Sequence, residues 1–394
     1  MNAPLKQHLI DPEICIRCHA CVEACPIDAI THDDTNVVVD ASKCNFCMNC
    51  ISPCPTGSID NWRVVATPYA LKEQLGWSEL PAQVDFASGD TSLEALDDDV
   101  AALLAEAHQG AGGASKAPAS ASKPSVNLFS GTRATTARVQ GIYRLTAETS
   151  SSDVRHIILD LAAVTFPVLE GQSIGITPPG LDASGKPHAM RLYSISSPRD
   201  GERPNTNNLS ITVKRDEHGV CSNYLCDLNR GDEVKISGPF GSTFLMPNDP
   251  QAHLLMICTG TGSAPFRAFT MRRQRTSPTT KDTMSLYFGA RTADALPYFG
   301  PLKKVPQALL AKHFAFSREA SHPKHYVQDA MRENHVSIAA LLADSNSHIF
   351  ICGLRAMEVG VEQAFEDIAR RSCQDWQQIR SKMRAEGRYH VETY

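Results

Sequence analysis

Two copies of one cysteine pattern govern what the N-terminal part of this chain can become: Cys15-x2-Cys18-x2-Cys21-x3-Cys25-Pro26 and Cys44-x2-Cys47-x2-Cys50-x3-Cys54-Pro55. A stretch this short cannot bury enough apolar surface to hold itself together, so its stability has to come through sulfur. Of the 13 cysteines, eight lie in this repeat and five are scattered through the C-terminal part. The start, Met1-Asn2-Ala3-Pro4-Leu5-Lys6, has no apolar export segment. Clustered CxxC units therefore point to metal instead of cystine. Zinc ribbons pair two CxxC units. A run of three ligands at intervals of three instead wraps the chain around one iron–sulfur cube, and the closing Cys-Pro stops the short helix beyond the fourth ligand. Two 4Fe–4S clusters are expected.

The repeat resembles that of bacterial ferredoxins with two clusters, in which the fourth cysteine of each run serves the other cluster. The resemblance implies Cys15, Cys18, Cys21 and Cys54 on one cluster, with Cys44, Cys47, Cys50 and Cys25 on the second. Residues 1–77 are read as this ferredoxin domain.

Residues 78–127 change in character. Leu93, Leu96, Val100, Leu103 and Leu104 recur at helical spacing among Glu94, Asp97, Asp98 and Asp99. This is one amphipathic helix, which either docks a domain or frays as an acidic helix in solution. Gly110 to Pro118 and on to Lys123-Pro124 reads as a flexible tether with a reach of about 20–25 Å on Gly/Ser scaling. The expectation is a ferredoxin domain that swings between two electron partners. A net charge of −5 gives no reason to expect nucleic acid or anionic membrane. No apolar run approaches the roughly 20 residues of a bilayer span, and a cytoplasmic protein is expected. Homo-oligomerisation is left open.

From residue 128 to 248, short β-rich runs alternate with turns: Val154 to Leu161, Ser173 to Thr177, Met190 to Ser196, Leu209 to Arg215 and Glu233 to Ser237. Such runs suggest an antiparallel barrel. Taken alone, Arg191-Leu192-Tyr193-Ser194 is only a half-buried strand. In the company of Glu170-Gly171-Gln172-Ser173, Gly219-Val220-Cys221-Ser222-Asn223-Tyr224-Leu225 and Gly238-Pro239-Phe240-Gly241, it resembles the plant-type ferredoxin–NADP reductase family, in that family's order. The resemblance implies FAD held by Arg191, Tyr193, Ser194, Val213, Lys214, Gly219, Cys221 and Ser222. Arg191 suits the pyrophosphate as a planar fork of donors, Tyr193 offers an aromatic face, and Ser194 meets flavin N5. One departure is that the chain turns through Asp216, Glu217 and His218 where the family often covers the adenine with an aromatic residue.

Residues 249–394 read as an open parallel α/β sheet with strands at Leu254 to Cys258, Ser285 to Gly289, Phe314 to Ser317 and Ile349 to Cys352. Thr259-Gly260-Thr261-Gly262 follows the first of these. It lacks the full GxGxxG fingerprint, but Thr261 and Gly262 allow a dinucleotide close to a helix start. Ser317, Arg318, Lys324, Tyr326 and Gln328 form a set suited to a 2′-phosphate, which points to NADPH. The resemblance implies that Cys352 lies beside the nicotinamide, that Tyr394 covers the flavin face and that Glu392 helps place the ring, so Ser194, Cys352, Glu392 and Tyr394 are the catalytic candidates. Cys258 and Cys373 are expected in cores.

Every motif binds a redox cofactor and none forms a separate substrate pocket. A flavin takes up a hydride and releases electrons singly, so the reading is NADPH to FAD to two clusters to an external acceptor. The fusion resembles the reductase components of multicomponent oxygenases and epoxidases, which implies an oxygenase partner with a non-haem di-iron site. Two alternatives stay open: a reductase running toward NADPH formation, and a non-catalytic electron-wiring subunit.

Overall fold

The computed structural model describes residues 5–51, 53–82, 98–110, 112–113, 115–203, 206–320 and 323–394. The cysteine-rich region is built from β1 (Leu5–Leu9), α1 (Ala20–Glu23), β2 (Ile30–His32), β3 (Val37–Val39), β4 (Asn61–Val65) and α2 (Leu71–Leu75). β1 pairs with β4 and β2 with β3, both antiparallel. Its core comprises Ile10, Ile30, Val37, Val39, Met48, Ile51, Ile59 and Trp62 around Cys21 and Cys50. That apolar set is small for an independent domain, as the sequence implies.

The linker helix α3 (Asp98–Ala107) buries Val100; Leu93 and Leu96 lie outside the described residues. The expectation of a free tether needs correction, because the segment is packed along the rest of the molecule. Arg384 donates to the carbonyls of Gly112 and Gly113, both at 3.1 Å, and Ser115 Oγ is 3.0 Å from His390 Nδ1. Asn248 Nδ2 donates to Ser122 Oγ at 2.9 Å, Gln172 Nε2 to the Ser125 carbonyl at 2.9 Å, and the Asn127 N–H to the Pro239 carbonyl at 2.9 Å. Small side chains that leave a chain flexible in water also let its backbone lie flat on a surface and hydrogen-bond there.

Next comes an antiparallel barrel of β5 (Thr135–Arg144), β6 (Val154–Asp160), β7 (Ser173–Ile176), β8 (Arg191–Ser194), β9 (Asn208–Lys214) and β10 (Glu233–Phe240), with α4 (Val220–Asp227) before β10. The order is β8-β7-β10-β5-β6-β9. An Ile195–Ile211 bridge joins the two edge strands and closes the sheet on itself. Sequence reading did not find β5. Its inward positions include Ala137 and Gly141 beside Val139, too small to print a strong alternation.

The C-terminal part is a parallel sheet, β13-β12-β11-β14-β15, made of β11 (His253–Thr259), β12 (Met284–Ala290), β13 (Ala311–Phe316), β14 (Ser347–Gly353) and β15 (Tyr389–Thr393). The intervening helices are α5 (Ser263–Thr276), α6 (Phe299–Lys304), α7 (Val327–Glu333), α8 (His335–Ala343), α9 (Arg355–Arg371) and α10 (Trp376–Ala385). Alternate residues of β11 enter opposite layers: Leu255 and Ile257 pack with α7 to α10, and Leu254, Met256 and Cys258 with α5 and α6. The chain reverses direction across the sheet between β11 and β14, the switch point where such sheets bind ligands. Cys373 is a further correction: it is exposed at the end of α9, with φ 54°. Among the described residues, no helix is long and apolar enough to cross a membrane.

The cysteine-rich region is docked on the rest through buried charge. Asp60, next to β4, accepts from Arg199 at 2.5 Å and from Arg272 of α5. Arg199 also grips Glu170, donating from Nε at 2.8 Å and from Nη2 at 2.6 Å. All four side chains are buried. Burial pushes the Asp60 carboxyl up, but Arg199 and Arg272 outweigh it and hold it below 3.8. Two carboxylates and two guanidiniums balance, which is the condition for burying them.

Candidate redox sites

In each cysteine run, two residues that are not glycine adopt the left-handed region at matching positions: Arg17 (55°) and His19 (59°), then Phe46 (59°) and Met48 (65°). The sequence repeat is thus a repeat of backbone shape. Conformations of this cost persist where they cradle a ligand. Burial, then Cys54 and Cys15, push the Cys21 thiol up to about 12, with Cys18 adding to them. Cys44 is raised by burial and by Cys47 and Cys25, and Cys50 by burial and by Cys44, Cys21 and Cys47. Cys54 and Cys15 beside Cys21, and Cys25 beside Cys44, are neighbours of the kind the crossed grouping calls for, while Cys50 also lies near Cys21, which that grouping assigns to the other cluster. Cys21, Cys44 and Cys50, thiols raised by burial and by neighbouring cysteines, are of the kind that a cationic cluster binding them as thiolates would stabilise; at Cys54 burial is outweighed by hydrogen bonds from Ser58 and the Ile59 and Thr56 backbone, which lower it. The Ala29 N–H donates to Cys25 Sγ at 3.2 Å, and Ser58 Oγ lies 3.4 Å from Cys54 Sγ.

The flavin candidates lie along β8 and its neighbours. β8 runs antiparallel to β7 with Ser194 opposite Ser173 and Tyr193 opposite Ile174. Arg191 is exposed at one end, while Tyr193 and Ser194 are half-buried. Burial raises the Tyr193 phenol, and the neighbouring Cys221 adds to this. Gly219 caps α4, which places the N–H groups of Val220, Cys221 and Ser222 at a helix start beside β8. Ser222 Oγ donates to the Gly219 carbonyl and accepts from the Asp216 N–H, both at 3.1 Å. The Val213 side chain lies in the barrel core, so backbone is what it can offer a ligand, and Lys214 is exposed at the end of β9. Arg267 of α5 donates to the Ser196 carbonyl at 2.7 Å, fastening the nucleotide half to the strand that carries Ser194.

At the switch point, the turn after β11 meets the ends of β14 and β15. A Cβ at Gly262 would lie 2.1 Å from the Cys352 carbonyl oxygen, so only glycine permits this approach. Cys352 pairs with Glu392 across β14 and β15, and Tyr394 Oη is 2.6 Å from Thr261 Oγ1. Thr261, Gly262, Cys352, Glu392 and Tyr394 are therefore brought together, although more than 130 residues separate Thr261 from Tyr394. Ser317 follows β13 half-buried, Arg318 and Lys324 are exposed, and Tyr326 is the exposed N-cap of α7. Gln328, in the first turn of α7, packs against Gly360. Glu319, the acid next to Arg318, accepts from the Ala293 N–H at 2.7 Å. Sequence reasoning missed Asp60, Arg199, Arg272 and His108. Their partners lie far away in the chain, and no local spacing marks them.

Family models match in the same three places: a 4Fe-4S dicluster domain over residues 7–55, an oxidoreductase FAD-binding domain over 144–244, and an oxidoreductase NAD-binding domain over 256–363. The chain is 40% identical over 290 residues to a ferredoxin–NADP reductase of Thermosynechococcus vestitus, an alignment covering 68% of this chain and 75% of that protein. It is 38% identical over 270 residues to the Spirulina enzyme of the same name, covering 64% of this chain and 92% of the relative. The ferredoxin-NADP+ reductase from Plasmodium falciparum shares the fold, with a TM-score of 0.54 at 23% identity over 68% of this chain and 99% of the other. A mutant of that enzyme, 25% identical with a TM-score of 0.54 over the same shares of each chain, was solved in complex with 2′P-AMP. With an FAD-binding barrel, a parallel nucleotide-binding sheet and a dicluster domain in one polypeptide, the chain is an oxidoreductase that belongs to the ferredoxin–NADP reductase family.

Proposed function

We propose that this chain oxidises NADPH on FAD, passes the electrons to two 4Fe–4S clusters and delivers them to the oxygenase component of a multicomponent system. The observation that carries the reading is the buried docking of the dicluster domain on the flavin-binding half through Asp60, Arg199, Glu170 and Arg272. It holds a one-electron carrier beside a hydride-accepting module within one molecule. FAD bound at β8 would supply the conversion from an electron pair to single electrons.

The chain's own residues bind and orient. Arg191 and the N-terminus of α4 would hold the pyrophosphate, and Tyr193 and Ser194 would hold the flavin ring system. Thr261 and Gly262 take the pyrophosphate of the second nucleotide. Arg318, with Ser317, Lys324, Tyr326 and Gln328, takes its 2′-phosphate, as the 2′P-AMP complex of the Plasmodium falciparum relative suggests. Tyr394, tied to Thr261, lies across the crevice until nicotinamide displaces it, while Glu392 and Cys352 line the ring's place. The proposed partner is the benzoyl-CoA 2,3-epoxidase oxygenase of aerobic benzoate degradation, which holds a non-haem di-iron site. This part rests on the resemblance of the fusion to that system's reductase component.

Anaerobic addition of one equivalent of NADPH to the FAD- and cluster-loaded protein is expected to bleach flavin and cluster absorption. Absence of bleaching would overturn the reading. Oxygenase-dependent NADPH consumption with purified partners then tests the acceptor.

A further inference from the structure

Helix α3 lies against the C-terminal strand with more than a passing contact. Arg355 of α9 donates to the Glu106 carbonyl at 3.1 Å and to Gln109 Oε1 at 3.2 Å, holding the end of α3. A Cβ at Gly110 would fall 2.1 Å from the Glu358 carboxylate, so the chain leaves α3 pressed on that acid. Glu358 in turn accepts from Thr393 Oγ1 of β15 at 2.6 Å. His108, just beyond α3, is buried and aims its ring at Glu392, the residue before Thr393.

The ring's tautomer follows from its partners. Nδ1 lies 2.7 Å from the Leu104 carbonyl, which can only accept, so Nδ1 carries a proton. Nε2 faces Glu392 Oε1 at 3.6 Å, an ion-pair distance beyond hydrogen bonding, and has no hydrogen-bond partner among the described residues. A neutral ring would point a lone pair at a carboxylate, whereas an imidazolium makes an ion pair. The surrounding groups allow that charge. His390 on β15 stays neutral, its pKa lowered to about 3 by burial and His348. Glu358 and Arg355 face from α9, and Glu106 lies on α3 itself.

We propose that the linker helix is a latch on the nicotinamide end of the reductase: His108 is a positioning residue that fixes the Glu392 carboxylate, making hydride transfer depend on a segment that belongs to the dicluster domain's linker. The proposal rests on Glu392 placing the nicotinamide, as argued under the proposed function. Burial alone would lower the His108 pKa, but the nearby Glu392 carboxylate and the Leu104 carbonyl outweigh it and raise it above 6.5. For a raised pKa, the latch is fully engaged below the unfolded value and is lost as pH rises through the folded one.

The test uses the full chain loaded with FAD and clusters, as wild type, His108→Gln and His108→Ala. Hydrogen exchange of residues 98–110 and 389–394, without nucleotide, reads the latch itself. Single-turnover flavin reduction by NADPH between pH 6 and 9 reads its effect, and 2′-phospho-AMP binding controls for the distant adenine end. Expected in His108→Ala are faster exchange in both segments, reduction slowed about tenfold at low pH, loss of the high-pH decline seen in the wild type, and unchanged 2′-phospho-AMP binding. His108→Gln, which keeps one donor, should fold normally and recover part of the rate. Unchanged exchange in both variants overturns the latch. Faster exchange with a wild-type rate and pH profile overturns the positioning role. If NADPH fails to reduce even the wild-type flavin, the proposed function fails, and the exchange data still decide the latch.

Discussion

Arg318 stands exposed one residue beyond the half-buried Ser317, while its acidic neighbour Glu319 is turned toward the Ala293 backbone. A guanidinium so presented suits a phosphate. Arg318→Ala is expected to weaken NADPH binding about 10- to 100-fold, the worth of charge-assisted hydrogen bonds. NADH binding should change little, and isothermal titration of both nucleotides checks this. Residues of this kind can be picked out of the sequence as candidates because strand, turn and helix start are local, and a ligand loop is written in consecutive positions. Cys373 was misplaced for the same reason. A lone cysteine carries no local mark of burial, and this one falls where α9 turns out into solvent.

Asp60 joins elements that no local pattern connects. It sits beside β4, Arg272 lies on α5, and Arg199 bridges to Glu170 ahead of β7. Asp60→Asn would leave two guanidiniums, Arg199 and Arg272, facing the single carboxylate of Glu170 in a dry interface, at a cost of about 3–5 kcal/mol in docking. Limited proteolysis should then cut the linker faster than in the wild type. The pH dependence follows the lowered carboxyl: its contribution is complete above 3.8 and is lost as pH falls through the lower value of the docked state. Docking should therefore persist through mildly acidic buffer and fail only in strong acid, which proteolysis across that range would show. β15 teaches a related lesson. A chain terminus usually frays, yet this one is a buried strand, because β14 offers it an unpaired edge and α3 covers it.

Taken entire, the molecule sets an iron–sulfur domain, a flavin barrel and a nucleotide sheet in sequence order. The N-terminal core is too small to stand without its metal. Cys54→Ser is expected to remove the cluster shared with Cys15, Cys18 and Cys21 and to spare the other, leaving roughly half the iron and acid-labile sulfide. Metal analysis of the purified variant reads this directly, and loss confined to the cluster of Cys44, Cys47 and Cys50 would break the crossed assignment. The cysteine spacing, the order of the motifs and the alternation of strands and helices all act over short stretches of chain, so the amino acids alone specified the class of each domain, a dicluster domain among them, and pointed to candidate cluster ligands and nucleotide loops. The seating of the first domain, the path of the linker and the meeting of His108 with Glu392 rest on contacts between residues distant in the chain, 139 positions apart for Asp60 and Arg199 and 272 for Gly112 and Arg384. Such contacts depend on how the domains are seated against one another, and nothing in the local pattern of the chain announces them.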